Sequence, residues 1–129
     1  LAWCSKVAWY AKSQISPGKL ILGLPFYGRA WTDKNHARAL GHSRVLSLME
    51  EMKKSEPWRV QDMPFFEYTA AVTVTVHFED ALSLRRRLEL YHGMGIQKVG
   101  FWRLGLEDPG VWKHITHWPE GSLVQNSVP

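Results

Sequence analysis

The sequence predicts an α/β protein in which a helix connects two parallel strands and a small α+β unit precedes that helix. Two segments, Lys19–Tyr27 and Lys98–Leu104, are almost continuously apolar, which is typical of strands buried on both faces of a parallel sheet. A helical pattern over residues 81–92 lies between them, and parallel strands need such a crossover. Residues 32–79 instead combine short strand patterns with one helix pattern, which indicates a separate α+β unit.

Composition places the chain among soluble globular proteins. It has 129 residues, of which 45% are hydrophobic and 22% charged, and this excludes disorder and low complexity. No apolar run approaches the ~18 residues of a membrane helix, so we expect no membrane span. A net charge of +4 is too weak to predict nucleic-acid binding. The seven tryptophans suit either core packing or a stacking platform for sugars or bases.

The first thirteen residues predict a helix, with Trp3, Val7 and Tyr10 on one stripe. Ser16-Pro17-Gly18 ends it, because proline cannot continue a helix and glycine suits the turn. A chain that starts with Leu1 inside a helical pattern is expected to be part of a longer protein. The missing signal peptide therefore says nothing about export.

The segment after this helix predicts the first strand, then a polar loop, then the α+β unit. Gly28 is expected to end the strand, and residues 32–40 are expected to form the loop. Ser43 is the expected N-cap of a helix over Arg44–Lys54, since its hydroxyl can accept a backbone hydrogen bond. Three short strands follow, with a turn at 69–71, and they are predicted at Trp58–Val60, Phe65–Tyr68 and Val72–Phe78.

The last third predicts a helix, the second buried strand and a final helix. Asp80 is the expected cap of the helix over Ala81–His92, and Gly93 and Gly95 can end it. Asp108-Pro109 opens the final helix, with aspartate as the cap and proline in the first turn. We therefore divide the chain into a helix and penultimate strand, an inserted unit, a helix-strand-helix and a polar tail, at 1–31, 32–79, 80–118 and 119–129.

Three blocks of sequence resemble family 18 glycoside hydrolases, the chitinase-like enzymes. LGLPFYGRAW at 22–31 resembles the seventh barrel strand of that family. HFEDALSLRRRLELYHGMGI at 77–96 resembles the segment that leads from the family's inserted α+β domain into its penultimate helix. VGFWRLGLEDPGVW at 99–112 resembles the eighth strand and final helix. The blocks occur in the family's order and, with their spacer, cover most of the chain.

The resemblance implies the C-terminal part of a (β/α)8 TIM barrel, comprising its last two strands and flanking helices, whose site lies at the C-terminal strand ends. Trp102 matches the tryptophan beneath the sugar at the cleavage point, and Tyr27 and Arg29 match residues of the cleft wall. Core packing is the alternative for Trp102, and a structural ion pair is the alternative for Arg29. Trp31 and Tyr68 are weaker candidates for substrate binding, and Tyr68 suits the core better.

The chain departs from the family in its catalytic residues. Family catalysis depends on a fourth-strand motif, DxxDxDxE, whose glutamate is the general acid, while the substrate's acetamido group is the nucleophile. That motif does not occur in this sequence. The acidic pairs Glu79-Asp80 and Glu107-Asp108 do not replace it, because both aspartates suit helix N-caps. We therefore predict no catalytic residue in this chain.

Weaker motifs are assigned structural roles. His114-x-x-His117 lacks a third ligand nearby and makes a poor zinc site, so no metal or other cofactor is expected. Arg85-Arg86-Arg87 is interpreted as a solvated helix face, with Arg85 four residues before Glu89, and not as a nucleic-acid patch. Cys4 is interpreted as a buried or incidental thiol, since no catalytic histidine pattern accompanies it.

The sequence thus predicts part of a hydrolase of N-acetylglucosamine-containing glycans, either chitin-like or peptidoglycan, with the chain alone inactive. The last block is closer to bacterial hydrolases than to animal chitinases. A non-catalytic chitinase-like lectin is the alternative, and a partner-binding module is a third class. The expected partners are a glycan and either the rest of the barrel or a second copy of the chain. The resemblance also implies export from the cell.

Overall fold

The computed structural model describes residues 1–115, which form two separate sheets and four helices. A parallel pair consists of β1 (Leu22–Pro25) and β7 (Val99–Trp102). A five-stranded antiparallel sheet has the order β3-β2-β6-β5-β4, from β2 (Tyr27–Trp31), β3 (Ala37–Gly41), β4 (Trp58–Val60), β5 (Met63–Thr69) and β6 (Thr73–His77). The helices are α1 (Ala2–Gln14), α2 (His42–Glu51), α3 (Ala81–Gly93) and α4 (Trp112–Ile115), with 3₁₀ turns at Pro17–Lys19 and Pro109–Val111.

The parallel pair is covered by helices on one face. Its register runs from Leu22 opposite Val99 to Pro25 opposite Trp102, and the connection passes through α3 as predicted. Apolar side chains from the strands, α1 and α3 form a continuous core on that face, comprising Cys4, Ala8, Leu20, Leu24, Phe26, Leu84, Leu88, Tyr91, Met94, Ile96 and Val111. The opposite face of the pair has no such core within residues 1–115.

The strand predicted over Lys19–Tyr27 is wrong in extent, because the chain changes sheet at Phe26. The Phe26 N–H donates to the Trp102 carbonyl at 2.7 Å, and its ring stacks on Phe101 at 4.5 Å. The next residue, Tyr27, begins β2 of the antiparallel sheet. Gly28 lies inside β2 and does not end a strand. A side chain there would collide with Phe78, since a built Cβ lies 2.6 Å from the Phe78 Cβ.

The loop predicted over residues 32–40 is wrong in its second half. The Asp33 carboxylate accepts hydrogen bonds from the backbone N–H groups of Asn35 and His36, which closes a turn. Residues 37–41 then form β3, an edge strand that pairs with β2 along its whole length. Its exposed alanines and Arg38 give little apolar alternation, which is why the sequence pattern did not indicate a strand.

We call Tyr27–His77 the antiparallel unit, and it has a core of its own. Its helix α2 packs on one face of the five-stranded sheet, burying Leu40, Val45, Leu48, Met49, Phe66, Val74, Val76 and Phe78. The predicted Ser43 cap is wrong: α2 begins at His42 with Gly41 at the N-cap, because β3 continues to Gly41. The helix ends at Glu51, before the predicted Lys54.

Helix α1 is present as predicted, but its predicted apolar stripe does not face the core. Trp3 and Tyr10 are exposed, and Val7 is also on the exposed side. The buried residues are Cys4 and Ala8, whose small side chains let α1 approach the neighbouring elements closely. The prediction that Cys4 is a buried thiol is confirmed.

The start of α3 follows the prediction closely. Asp80 caps it by accepting the Ser83 N–H at 2.8 Å, and the Ser83 hydroxyl accepts the Asp80 N–H in return. Arg85 pairs with Glu89 on the exposed face, as expected. Arg87 does not share this solvated face, because its guanidinium lies 2.6 Å from the buried Glu79 carboxylate. Its spacing from Leu84 and Tyr91, at i+3 and i−4, puts Arg87 on the apolar side.

The predicted final helix begins among the described residues as a 3₁₀ turn followed by α4. Asp108 accepts from the Gly110 N–H and opens the turn Pro109–Val111, which leads into α4. Its other carboxylate oxygen accepts from the Ala81 N–H, which ties this turn to the start of α3. Residues 116–129, including the predicted tail from Pro119, lie outside the described residues. The domain division stays a prediction.

Candidate functional site

A groove of about 520 Å³ lies on the face of the parallel pair opposite the helical core. Gly23 and Gly100 are register partners at its floor, and the absence of side chains there leaves the groove open. On this same face, the next register pair towards the C-terminal ends of the strands is Pro25 and Trp102. Ile21 completes the apolar wall and is 67% exposed.

Trp102 lies on the groove side of β7, whereas its neighbour Phe101 packs into the helical core. Successive side chains of a strand point to opposite faces, so the stacking of Phe101 on Phe26 directs Trp102 to the groove. The Trp102 side chain is 69% exposed. The peptide bond that follows it, Trp102–Arg103, is cis. A large flat apolar ring therefore lies open at the strand end.

Tyr27 lines the same groove from the first residue of β2. The Arg29 guanidinium lies over the Tyr27 ring, 5.8 Å from its centroid, and is exposed. The ion pair considered for Arg29 does not form within residues 1–115, where the guanidinium contacts the Tyr27 ring instead. Arg29 thus holds five N–H donors beside an aromatic wall, an arrangement that suits hydroxyl and carbonyl groups of a ligand.

The two weaker candidates lie outside this groove. Trp31 shares the sheet face of Tyr27 and Arg29 but sits at the far end of β2, opposite Thr75 and Ala37. Tyr68 packs on the core of the antiparallel unit and stacks with Phe66 at 6.3 Å. Its remaining surface lines a different hollow, near the turn at Asn35 and His36. The structure therefore brings Tyr27, Arg29 and Trp102 together and leaves Tyr68 apart.

The acidic residues near the strand ends are engaged with the chain itself. The Glu107 carboxylate accepts from the Gly105 and Leu106 N–H groups at 2.6 and 3.0 Å. Asp80 and Asp108 cap α3 and the turn at Pro109–Val111, as predicted. None of these three carboxylates lines the groove.

Glu79 is the most buried carboxyl of the strand ends, at 4% exposure. It accepts the Ser83 hydroxyl at 2.6 Å and pairs with Arg87. Burial raises the pKa of Glu79, while Arg87 and Ser83 oppose that rise. For Asp80, burial acts to raise the pKa, but hydrogen bonds from Arg59 and from the Ser83 N–H outweigh it and lower the pKa. The Arg59–Asp80 pair joins the antiparallel unit to α3, and none of these groups lines the groove.

Comparison with known proteins identifies the family. The model of the glycosyl hydrolases family 18 matches residues 1–107. The chain belongs to glycosyl hydrolase family 18. The family resemblance of the three sequence blocks is therefore confirmed.

Relatives of this family 18 chain include bacterial and plant enzymes. It is 28% identical over 111 residues to the cortical fragment-lytic enzyme of Bacillus subtilis, covering 80% of this chain and 26% of that protein. It is 25% identical to a class V chitinase of Medicago truncatula, covering 74% of this chain and 29% of that protein. The spore cortex-lytic enzyme SleL of Bacillus megaterium superposes with a TM-score of 0.79 at 30% identity, covering 88% of this chain and 28% of that structure.

The family 18 chain spans about a quarter of the length of these curated relatives. A chitinase of Chromobacterium violaceum shares the fold as well, with a TM-score of 0.76. The mixed α/β architecture is consistent with part of a TIM barrel, as predicted.

The described part of the family 18 chain offers no cluster of metal-ligating side chains. No three His, Cys, Asp or Glu residues within 1–115 converge on one point. The predicted weak pair His114 and His117 cannot be compared, because His117 lies outside the described residues. None of the helices described is long and apolar enough to cross a membrane.

Sequence analysis missed the floor of the groove. Gly23 and Gly100 carry no chemistry and were not singled out, yet they keep the groove open beneath Trp102. A signal was available, because alternation from Trp102 puts Gly100 on the same face of β7. The register that opposes Gly100 to Gly23 cannot be predicted from either strand alone.

Proposed function

We propose that this chain forms the wall and floor of a sugar-binding groove in a family 18 hydrolase of N-acetylglucosamine-containing glycans, and that it holds no catalytic acid of its own. One observation carries the proposal: Trp102 exposes 69% of its side chain on the face of the parallel pair that faces away from the core. An aromatic ring left open in this way has no packing function within residues 1–115. A flat ring is suited to stack on the apolar face of a pyranose.

The polar side of the groove supports the same ligand class. Binding sites for small molecules are largely apolar, with a few polar groups that fix orientation. Here Trp102, Tyr27 and Pro25 supply the apolar surface, and Arg29 supplies hydrogen-bond donors at the rim. Trp31 and Tyr68 stay outside this assignment.

The absence of an acid catalyst follows from the sequence and from the contacts of its carboxylates. Family 18 hydrolysis requires a general acid, and the motif that supplies it does not occur among the 129 residues. Glu107 is engaged by two backbone N–H groups, and Glu79 is buried against Arg87. Neither carboxylate is free to protonate a leaving group in the groove.

The glycan is either peptidoglycan or chitin, and the relatives include, by name, a cortical fragment-lytic enzyme and a class V chitinase. A non-catalytic chitinase-like lectin remains the second candidate, favoured by the engagement of Glu107 and Glu79. The motif DxxDxDxE in the parent protein discriminates the two: its glutamate is required for a hydrolase and dispensable for a lectin.

We further propose that the antiparallel unit is an insertion between the last two strands of the barrel. Its support is that β1 and β7 pair directly although the whole unit separates them in sequence. Both strands keep an unpaired edge within residues 1–115, and the groove face is apolar at Ile21. Exposed edges and apolar faces promote association. The partner is therefore the rest of the barrel or a second copy, and light scattering over a range of concentrations should show assembly; a monomer at every concentration contradicts it.

The decisive experiment on catalysis uses the chain of residues 1–129 as it stands. Purified protein is incubated with chito-oligosaccharide and, separately, with peptidoglycan, and products are analysed by mass spectrometry. We expect no cleavage of either substrate. Cleavage that persists through purification and disappears in Glu107→Gln contradicts the proposal, because it makes Glu107 the acid.

A further inference from the structure

A second hollow, of about 440 Å³, lies on the antiparallel unit beside the turn at Asn35 and His36. Its volume is within the range of about 300–1,000 Å³ that is typical of small-molecule sites. Ala30 lines it and packs on the core beneath α2, whereas Tyr27 and Arg29, at alternate positions of β2, are on the other face of the sheet. The sheet therefore separates this hollow from the groove.

Two long side chains flank an apolar floor in this hollow. The strands β2 and β6 lie side by side between β3 and β5, and they contribute the short side chains of Ala30 and Val74. The flanking strands contribute Arg38, the register partner of Ala30, and Tyr68, the register partner of Val74. The Tyr68 ring stacks with Phe66 at 6.3 Å, which holds this wall in place. A short apolar group therefore fits between a tyrosine and an arginine.

The arginine of this hollow has no acidic partner in the part of the chain that the structure describes. Arg38 is exposed, and the ion pairs within residues 1–115 do not include it. The acid nearest to it in sequence, Asp33, accepts the Asn35 and His36 N–H groups and pairs with the His36 ring at 2.7 Å. Asp33 does not line the hollow. The guanidinium of Arg38 is therefore available to an anion from outside.

The hollow adjoins an open strand edge. Among the described residues β3 pairs with β2 alone, and an extended peptide can add to such an edge through main-chain hydrogen bonds. Ala37 and Arg38 belong both to β3 and to the lining of the hollow. A charge on an edge strand also discourages pairing between copies of a protein. That role needs an exposed cation alone and does not account for the apolar floor and the tyrosine beside it.

We propose that this hollow binds the C-terminal carboxylate of a peptide whose last side chain is short and apolar. Arg38 holds the carboxylate, because a guanidinium presents its N–H donors in a fork that matches the two oxygens. The last side chain of the peptide contacts Tyr68 and the floor, and the peptide backbone lies along β3. Asn35, which also lines the hollow, carries an amide that can donate a further hydrogen bond. The site is separate from the groove, so it does not depend on the proposed function.

The test follows the amide resonances of ¹⁵N-labelled residues 1–129 by NMR during titration with N-acetyl-alanyl-alanine. The same dipeptide with a C-terminal amide lacks the charge, butyrate is a carboxylate without a peptide backbone, and inorganic phosphate is an anion without an apolar group. Arg38→Gln removes the guanidinium but keeps a polar side chain. Arg86→Gln is the matched control, since Arg86 is also exposed but lies on α3. Circular dichroism shows that each variant keeps its fold.

We expect the dipeptide acid to shift the amides of Asn35 and Arg38 and to leave those of Gly23 and Gly100, in the groove, unchanged. The dipeptide amide should bind wild type at least about tenfold more weakly than the acid, the scale of a charged hydrogen-bond pair. Arg38→Gln should bind acid and amide equally, and Arg86→Gln should behave as wild type.

Three results would each overturn the proposal. The first is equal affinity of wild type for the dipeptide acid and amide, and the second is a preference for the acid that survives in Arg38→Gln. The third is binding of butyrate or phosphate as tight as that of the dipeptide, which would show a site for free anions and not for a peptide end. None of these results bears on sugar binding by Trp102, because the groove amides report on that site separately.

Discussion

The two sheets of this chain differ in how they are stabilised. Apart from the β2–β6 pairing, the antiparallel unit pairs strands that are neighbours in sequence. It buries one face of its sheet beneath its own helix α2. The parallel pair joins register partners 77 residues apart, such as Leu22 and Val99, and only its helix-facing side is buried within residues 1–115. The open side of the pair is the groove that contains Trp102.

The face of the parallel pair that packs on the core is therefore different from the face that forms the groove. A strand buried on both faces carries apolar side chains on both, whereas β1 and β7 carry Gly23, Gly100 and the exposed Trp102 on the groove side. The parallel pair is therefore stabilised from one side, and the proposed ligand site lies on the other. The antiparallel unit is stabilised by its own core, which lies on one face of its sheet.

The largest effect should come from Phe26→Ala. The ring is 1% exposed and stacks on Phe101, so its removal leaves a cavity in the core of the parallel pair and should cost about 3–5 kcal/mol. Because the antiparallel unit has its own core, its amides on β5 and β6 should keep their protection from hydrogen exchange while those on β1 and β7 lose it.

Phe66→Ala is the reciprocal variant, since Phe66 is 2% exposed in the core of the antiparallel unit. Phe66→Ala should lower the protection of the β5 and β6 amides from hydrogen exchange more than that of the β1 and β7 amides. Equal loss of protection in both sheets in either variant contradicts the independence of the two cores.

A smaller effect is expected from a methyl group at Gly28. A built Cβ lies 2.6 Å from the Phe78 Cβ and 2.8 Å from the His77 carbonyl oxygen, so Gly28→Ala forces the strands apart. We expect a loss of about 1–3 kcal/mol in the free energy of unfolding, measured in urea. Gly23→Ala is the control: no atom lies within 4 Å of its Cβ, and the change should stay within about 0.5 kcal/mol. Equal losses of unfolding free energy in Gly28→Ala and Gly23→Ala would show that the close contact between Gly28 and Phe78 does not cause the effect.

The smallest effect concerns pH and His77. Burial lowers the pKa of His77 from 6.5, against a weaker opposing effect of Glu67. The unfolded chain then takes up a proton at a higher pH than the folded one. The stability that this residue contributes is therefore full above pH 6.5 and is lost as the pH falls through the folded pKa.

His77→Gln should reduce the difference in melting temperature between about pH 7.5 and about pH 5.5. Calorimetry at the two pH values measures it. If wild type and His77→Gln show the same difference in melting temperature between the two pH values, the pKa of His77 is the same in the folded and the unfolded chain.

Much of this fold could be predicted from local pattern. The cap at Asp80, helix α3 and a strand within Lys98–Leu104 follow from residues close in sequence, and the structure contains all three. The strand is confined to Val99–Trp102, and it is not buried on both faces as predicted, because Trp102 is exposed. The change of sheet at Phe26 could not be predicted, because an apolar run does not tell which neighbour each residue pairs with. The exposure of Trp3 likewise depends on what packs beside α1, and the periodicity of apolar residues in the helix does not reveal that packing.

The site was predictable to the extent that family motifs mark it. Trp102, Tyr27 and Arg29 come from such motifs, and the structure gathers them around one groove. The row formed by Trp58, Phe65 and His77 arises from register between β4, β5 and β6, which is a property of the folded sheet. The buried pair of Glu79 and Arg87 was missed because three consecutive arginines suggest a solvated face.

The central claim is that the exposed ring of Trp102 binds sugar. The most direct test is calorimetric titration of chito-oligosaccharide and of peptidoglycan fragments into residues 1–129 and into Trp102→Ala, with Trp3→Ala as the matched control. Trp3 is 73% exposed and Trp102 is 69% exposed, so the two substitutions differ in place and not in burial. The account predicts that Trp102→Ala weakens binding by about 1–3 kcal/mol, the scale of one aromatic stack, while Trp3→Ala leaves it unchanged. Equal affinity of wild type and Trp102→Ala, or equal loss in both variants, would contradict it.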